Sequence, residues 1–350
     1  MTYTHLPLWR LLLFIGCLAT GSCAPRYRGP VTDHFTGKRF VNPDMPAREG
    51  GGLLKWLLHR DKGPWAEQPN AYVGAPPARR IEGDSLVLTF VNHSTFLLQT
   101  GGLNILTDPV WSERVGPTNW LGVRRRRPPG IRFEDLPPID VVLLSHLHYD
   151  HLDLPTLRRL VRAHNPLFVV PLGVGYLPRR AGGRVARELD WNDTLRIRPG
   201  LELTCTPAQH FSNRGLGDRD RTLWAGYLLH TSFGTTYFCG DSGYGPHFKR
   251  IAEQAARSPT GPIRLALLPI GSYRPEWFMA PVHVSPAGAV RAFMDVKAPR
   301  AVGIHFGTFQ QGDDGLTEPV DDLRKALAEQ GIVQDRFIAP QEGRPITIKK

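Results

Sequence analysis

The chain has 350 residues, 41% of them hydrophobic, and its 43 lysines and arginines against 32 aspartates and glutamates give a net charge of +11. That size and apolar content allow one large buried core, and the sequence holds neither internal repeats nor a low-complexity tract, which excludes a solenoid. The positive excess suits an anionic partner, lipid headgroups or nucleic acid, although an arginine-rich genome would produce the same bias.

Arg10 precedes an apolar run, Leu11 to Ala19, too short to span a bilayer comfortably and of the length of a secretory signal core. Thr20-Gly21-Ser22 then lead to Cys23, an order that resembles a bacterial lipoprotein signal. Residues 1–23 are therefore read as a signal peptide with Cys23 as the lipidated first mature residue. Ala24 at the next position implies sorting to the outer membrane, so the protein is expected in the periplasm, lipid-anchored. A plain secretory signal or a retained anchor stays open. Residues 24–80 are rich in proline, glycine and arginine and are read as a segment wrapping the domain. Within it Leu53 to Leu58 suggests a short amphipathic helix, either facing a membrane or a lipid pocket or simply packed on the domain.

From Leu86 the elements become legible. Leu86 to Val91, Thr95 to Thr100 and Leu103 to Thr107 read as consecutive strands separated by short turns. Ile139 to Leu144 reads as a buried strand, and it opens onto His146-Leu147-His148-Tyr149-Asp150-His151, an H-x-H-x-D-H run. Three imidazoles and a carboxylate within six residues at a strand exit suit a pair of divalent metal ions. The absence of thiolate favours zinc, with iron or manganese as alternatives. Leu154 to Val161 has apolar spacing of three and four and a proline in its first turn, so it reads as a helix. Leu167 to Pro171, Leu201 to Pro207, Leu223 to Thr231, Thr235 to Gly240 and Ala301 to Ile304 read as further strands, Ala287 to Met294 and Val320 to Glu329 as helices. Three of these strands end at His210, Asp241 and His305, the candidates for the remaining ligands.

This constellation resembles the metallo-β-lactamase superfamily. Leu268-Pro269-Ile270-Gly271-Ser272-Tyr273-Arg274-Pro275-Glu276-Trp277-Phe278-Met279, followed by His283-Val284 and Pro286, is similar to a signature of its N-acyl-phosphatidylethanolamine-hydrolysing phospholipase D family. Phe238 to Tyr244, Ile304 to Phe309 and Leu136 to Asp140 match further segments. The resemblance departs after His210, at Phe211-Ser212-Asn213-Arg214-Gly215. It implies an α/β fold, the four-layer αβ/βα sandwich, over residues 81–350. It also implies two zinc ions, His146, His148 and His210 holding one, Asp150, His151 and His305 the other, with Asp241 bridging. Asp150 and His283 are the candidate catalytic residues, and His283 either contacts a phosphate oxygen, protonates the leaving alkoxide or serves as a structural support.

The implied activity is hydrolysis of N-acyl-phosphatidylethanolamine or a similar phospholipid to phosphatidic acid and N-acylethanolamine through a metal-bridging hydroxide. A zinc-dependent lactonase, esterase or β-lactamase-like hydrolase is the alternative. The expected partners are the phospholipid substrate and an anionic membrane surface; a lipoprotein-like signal argues against nucleic acid. His93 is a candidate support for a ligand or a turn histidine. Arg124 to Arg127 reads either as a cationic loop for anionic lipid or as a solvated charge run. Cys205 and Cys239 stay open as free or paired, and neither is proposed as a metal ligand.

Overall fold

The computed structural model describes residues 27–45, 52–67, 74–118, 120–215 and 217–350; the signal reading and Cys23 lie outside them. In chain order the strands are β1 (Leu86–Asn92), β2 (Thr95–Thr100), β3 (Leu103–Thr107), β4 (Arg114–Val115), β5 (Val123–Arg124), β6 (Val141–Leu143), β7 (Leu167–Pro171) and β8 (Arg184–Leu189). They continue with β9 (Thr194–Arg198), β10 (Leu201–Thr206), β11 (Gly226–Thr231), β12 (Gly234–Phe238), β13 (Ile263–Pro269), β14 (Arg300–Ile304), β15 (Phe337–Ile338) and β16 (Pro345–Ile348). The helices are α1 (Gly52–Leu58), α2 (Leu154–His164), α3 (Tyr176–Arg180), α4 (His247–Ala256), α5 (Glu276–Met279), α6 (Pro286–Asp295) and α7 (Glu318–Glu329).

Alternation along the strands assigns each side chain to a layer. Phe96 and Leu98 of β2 belong to the core between the sheets, while Leu97 between them joins the cluster under α2. Val141 and Leu143 of β6 face the first core and Val142 the second. Two seven-stranded sheets result, ordered β16-β1-β2-β3-β6-β7-β8 and β15-β14-β13-β12-β11-β10-β9. Each is antiparallel in one part and parallel in the other, the parallel pairs being β3-β6, β6-β7 and β7-β8 in the first and β12-β13, β13-β14 and β14-β15 in the second. Leu157 and Leu160 of α2 cover the outside of the first sheet, and Phe248, Ile251, Val290, Phe293, Leu323 and Leu327 bring α4, α6 and α7 onto the second. This is the αβ/βα sandwich.

The strand read from Leu223 begins at Gly226. Strands β8, β9 and β13 and helix α4 were not read from the sequence. β8 and β9 are the outermost strands of their sheets and largely exposed, so charged residues break their apolar pattern. Central β13 is buried almost throughout, and its Leu268-Pro269 end was absorbed into the signature.

Candidate metal centre

Strand ends from both sheets meet at one edge of the sandwich. The loop after β6 is tied to the second sheet by the Ala225 amide donating to Ser145 O at 3.0 Å and by the Tyr227 hydroxyl donating to Leu144 O at 2.9 Å. Asp241 leaves β12 through Gly240, whose φ is +63°, and a Cβ there would lie 2.8 Å from the Ser145 Cβ. The glycine thus lets the two sheets close at the point where Asp241 faces His146. His305 leaves β14 with φ at 61°, and its amide donates to His93 O at 2.8 Å. That bond joins the β14 exit to the β1–β2 turn, where His93 is itself left-handed at 47°. Such backbone in ordinary residues costs about 1–3 kcal/mol each and persists where the surroundings impose it.

The sequence-predicted ligands all converge. The ring nitrogens His146 Nε2 and His148 Nδ1 lie 2.8 Å apart, and His210 Nε2 lies 3.2 Å from the latter. Asp241 Oδ2 lies 3.7 Å from His210 Nε2, 3.2 Å from His151 Nε2 and 3.0 Å from His305 Nε2, so one carboxylate oxygen stands between the two groups. Asp150 Oδ2 is 3.2 Å from His151 Nε2 and 3.5 Å from His305 Nε2. His283 Nδ1 approaches Asp241 Oδ2 to 3.9 Å from the cavity side. Clusters His146, His148, His210, Asp241 and His93, Asp150, His151, His305 each bring their donor atoms within 4.8 Å of one another.

Groups behind the ligands aim them. Asp108, fully buried, accepts from His151 Nδ1 at 2.7 Å, from the Ser145 hydroxyl at 2.6 Å and from the Ser145 amide at 2.7 Å. His148 Nε2 donates to Asn213 Oδ1 and His210 Nδ1 to Val282 O, both at 2.9 Å. These bonds leave His151 Nε2, His148 Nδ1 and His210 Nε2 as the lone-pair nitrogens. His93 Nε2 donates to Asp150 Oδ2 at 2.9 Å, so it supports a ligand. Asn42 brackets His210: its side chain donates to His210 O at 2.6 Å and accepts from His210 N at 3.2 Å. The N-terminal segment therefore reaches the centre's supporting frame.

Burial holds His146 and His210 well below the usual histidine range and pushes His283 down to about 3. Burial opposes ionisation of Asp150 and Asp241, yet the surrounding imidazoles, His151 foremost, hold both carboxyls well below their usual range. Among the buried atoms without a hydrogen-bond partner are His151 Nε2, His305 Nε2 and Asp241 Oδ1. An unpartnered buried polar atom costs about 1–3 kcal/mol. Several gathered on one small volume, all imidazole nitrogen or carboxylate oxygen, fit divalent ions. The residues present can therefore hold metal.

The centre opens into a cavity of about 1000 Å³. His148, Asp150, Asp241, His283 and His305 line its inner end, Phe211, Trp277, Phe278 and Met279 its walls, and Gly52, Leu53 and Trp56 its rim. Trp56 holds α1 in place by stacking on Phe278, with ring centroids 5.0 Å apart, and by donating to Asp313 Oδ2 at 2.9 Å. The arginine run is part exposed and part tied down, with Arg124 half-exposed and Arg125 buried. Arg124 pairs with Glu113 and Glu67 at 2.7 and 2.9 Å, Arg127 with Glu342 at 2.8 Å, and buried Arg125 donates to the carbonyls of Ser112, Arg127 and Val110. Cys205 and Cys239 are free and buried, on β10 and just past β12, strands that β11 separates.

The family profile of the Beta-lactamase superfamily domain matches residues 103–306. The chain belongs to this superfamily of metal-dependent hydrolases. It is 35% identical over 331 residues to N-acyl-phosphatidylethanolamine-hydrolyzing phospholipase D 1 of Caenorhabditis elegans, covering 88% of this chain and 92% of that protein. It is 39% identical over 300 residues to an uncharacterized protein of Mycobacterium tuberculosis, covering 82% of this chain and 77% of that one. Among solved structures, the isothiocyanate hydrolase from Delia radicum gut bacteria shares the fold, with a TM-score of 0.60 at 22% identity over 74% of this chain and 98% of that one.

The superfamily fold explains why the ligands sit at strand ends, but sequence reasoning missed Asp108, Ser145, Asn213 and Asn42. Asp108 follows directly on strand β3, with φ at 32°, and this strand-end acid was the available signal. Asn42 gave none, being far from the motif in sequence.

Proposed function

We propose that this hydrolase is a binuclear zinc phosphodiesterase that cleaves N-acyl-phosphatidylethanolamine, or a similar phospholipid, to phosphatidic acid and N-acylethanolamine. The observation that carries this reading is a paired histidine and aspartate centre at the inner end of a large, aromatic-walled cavity with an apolar rim. The similarity to the nematode phospholipase supports it. Bound there, two divalent ions would supply Lewis acidity towards a phosphoryl oxygen and a water-derived nucleophile at neutral pH.

The chain's own residues do the rest. His146, His148 and His210 would hold one ion and Asp150, His151 and His305 the other, with Asp241 between them. His93 fixes the Asp150 carboxylate, and Asp108 fixes His151. His283, facing the cavity beside Asp241, would contact a phosphoryl oxygen or the leaving oxygen. Trp277, Phe278 and Met279 would take an acyl chain while the inner end takes the phosphodiester.

The rim suits an anionic membrane surface. Leu53, Leu54, Leu57, Leu58 and Trp277 each expose more than half of their surface, and α1 has no buried residue. Gly52, Lys55 and Trp56 pack on Trp277 and Phe278, and the exposed leucines would enter a lipid interface. Export and lipidation at Cys23 would place the rim at such an interface. Assay of the purified zinc-loaded protein against a phosphodiester lipid, a lactone and a β-lactam tests the reading: cleavage of the phosphodiester is expected, and turnover of lactones alone would overturn it.

A further inference from the structure

A second recess, of about 500 Å³, adjoins the metal-facing cavity, and Val115 and Tyr149 line both. Four arginines line it, Arg114, Arg158, Arg180 and Arg214. Arg214 is built into the frame: its Nη1 donates to Leu147 O at 3.0 Å and Leu152 O at 2.8 Å, and its Cζ sits 4.0 Å from the Tyr149 ring centroid. The Tyr149 hydroxyl in turn donates to the Arg214 carbonyl at 2.8 Å. The partition between the two spaces is therefore held from both ends. Tyr149 lies inside the metal-binding motif, and Arg214 lies in the very segment where the sequence departs from the phospholipase pattern.

Two acids share the lining. Asp153 accepts from the Ser112 amide at 3.0 Å and from the Thr156 hydroxyl at 2.6 Å, and Glu113 pairs with Arg124 at 2.7 Å. Arg114 donates to Gly122 O at 3.0 Å, but among the described residues neither Arg114 nor Arg158 has an ion-pair partner. Arginines gathered around a concave space suit the oxygens of a tetrahedral oxyanion.

We infer that this recess is a phosphomonoester site beside the metal centre, taking either the headgroup of an acidic lipid or free phosphate. The site rests on the arginine arrangement alone and stands whichever ester the metal centre cleaves. A headgroup held there would lie past Tyr149 from the reacting position, so it would belong to a bound product or a second lipid and not to the bond being broken.

The test is calorimetric titration of the metal-loaded protein, at low salt, with inorganic phosphate and with a short-chain phosphatidic acid below its micelle concentration. Both titrations are repeated on the Arg114→Ala/Arg158→Ala double variant and on Arg158→Lys. Wild-type protein should bind, and the double variant should lose about tenfold or more in affinity while keeping its metal content and unfolding midpoint. Arg158→Lys should fall between wild type and the double variant, because the charge remains while the guanidinium fork is lost. Tighter binding of the lipid than of phosphate assigns the site to a headgroup, and equal affinity assigns it to free phosphate; either supports the inference. Binding that the double substitution leaves unchanged would put the anion on the metals and overturn it. So would no heat of binding to wild type at about ten millimolar ligand, a concentration that would detect affinities of only about 3 kcal/mol. Turnover is never read, so failure of the proposed reaction would not affect the result.

Discussion

Replacing Asp108 separates the aiming of a ligand from the mere filling of space. Its carboxylate receives three donors, the His151 ring, the Ser145 hydroxyl and the Ser145 amide, at 2.6 to 2.7 Å. Asp108→Ala strips all three buried donors of their partner at about 1–3 kcal/mol each, a sum comparable with the whole stability of a domain. That variant is expected to fold poorly. Asp108→Asn keeps the shape, and asparagine tolerates the left-handed backbone at φ 32°. With its oxygen kept on the Ser145 amide, however, its NH2 faces His151 Nδ1. The imidazole then relaxes to the other tautomer, with the proton on Nε2, and the lone pair aimed at the metal is lost. The cost is that of one charge-assisted bond plus the tautomer change, about 1.5–3 kcal/mol, or roughly 10- to 100-fold in affinity for one of the two ions. Competition with a chromophoric chelator measures it. An Asp108→Asn protein that folds and binds two ions with wild-type affinity would refute the argument.

Asp241→Ala should lower occupancy of both ion sites, because its Oδ2 lies within 3.7 Å of ligands from each cluster; full metal content by elemental analysis would contradict the shared role. Gly240→Ala should lower the unfolding midpoint, since a side chain at φ +63° costs on the order of 1–2 kcal/mol before its Cβ meets Ser145 at 2.8 Å; an unchanged thermal melt would contradict this. The triple variant Leu53→Ser/Leu57→Ser/Trp277→Ser should bind anionic vesicles at least about tenfold more weakly in sedimentation while its midpoint moves little, as these side chains are exposed. Cys23→Ser should release the native protein from the membrane fraction, and continued membrane association on cell fractionation would count against lipidation.

The clustering of the candidate ligands was legible because metal chemistry imposes residue type and local spacing: His146 to His151 lie within one loop, and His210, Asp241 and His305 each follow an apolar strand. Most inner strands were legible as apolar runs bounded by turns, although central β13 was not, its end lying inside the signature segment. Edge strands β8 and β9 were hidden by the charges that keep an edge from pairing further. The aiming groups were hidden for a different reason. Asn42, Asn213 and the carbonyl of Val282 act through hydrogen bonds between segments far apart in the chain, and no local pattern marks such a residue. The same holds for the arginine run, whose carboxylate partners Glu67, Glu113 and Glu342 come from three distant places.

The claim that this centre breaks a phosphodiester by attack at phosphorus is tested most directly by isotope transfer. The zinc-loaded protein is given N-acyl-phosphatidylethanolamine in oxygen-18 water, and both products are read by mass spectrometry. The account predicts one labelled oxygen on the phosphate of phosphatidic acid and none on N-acylethanolamine. Label on the ethanolamine oxygen, or release of a fatty acid with the phosphodiester intact, would contradict it.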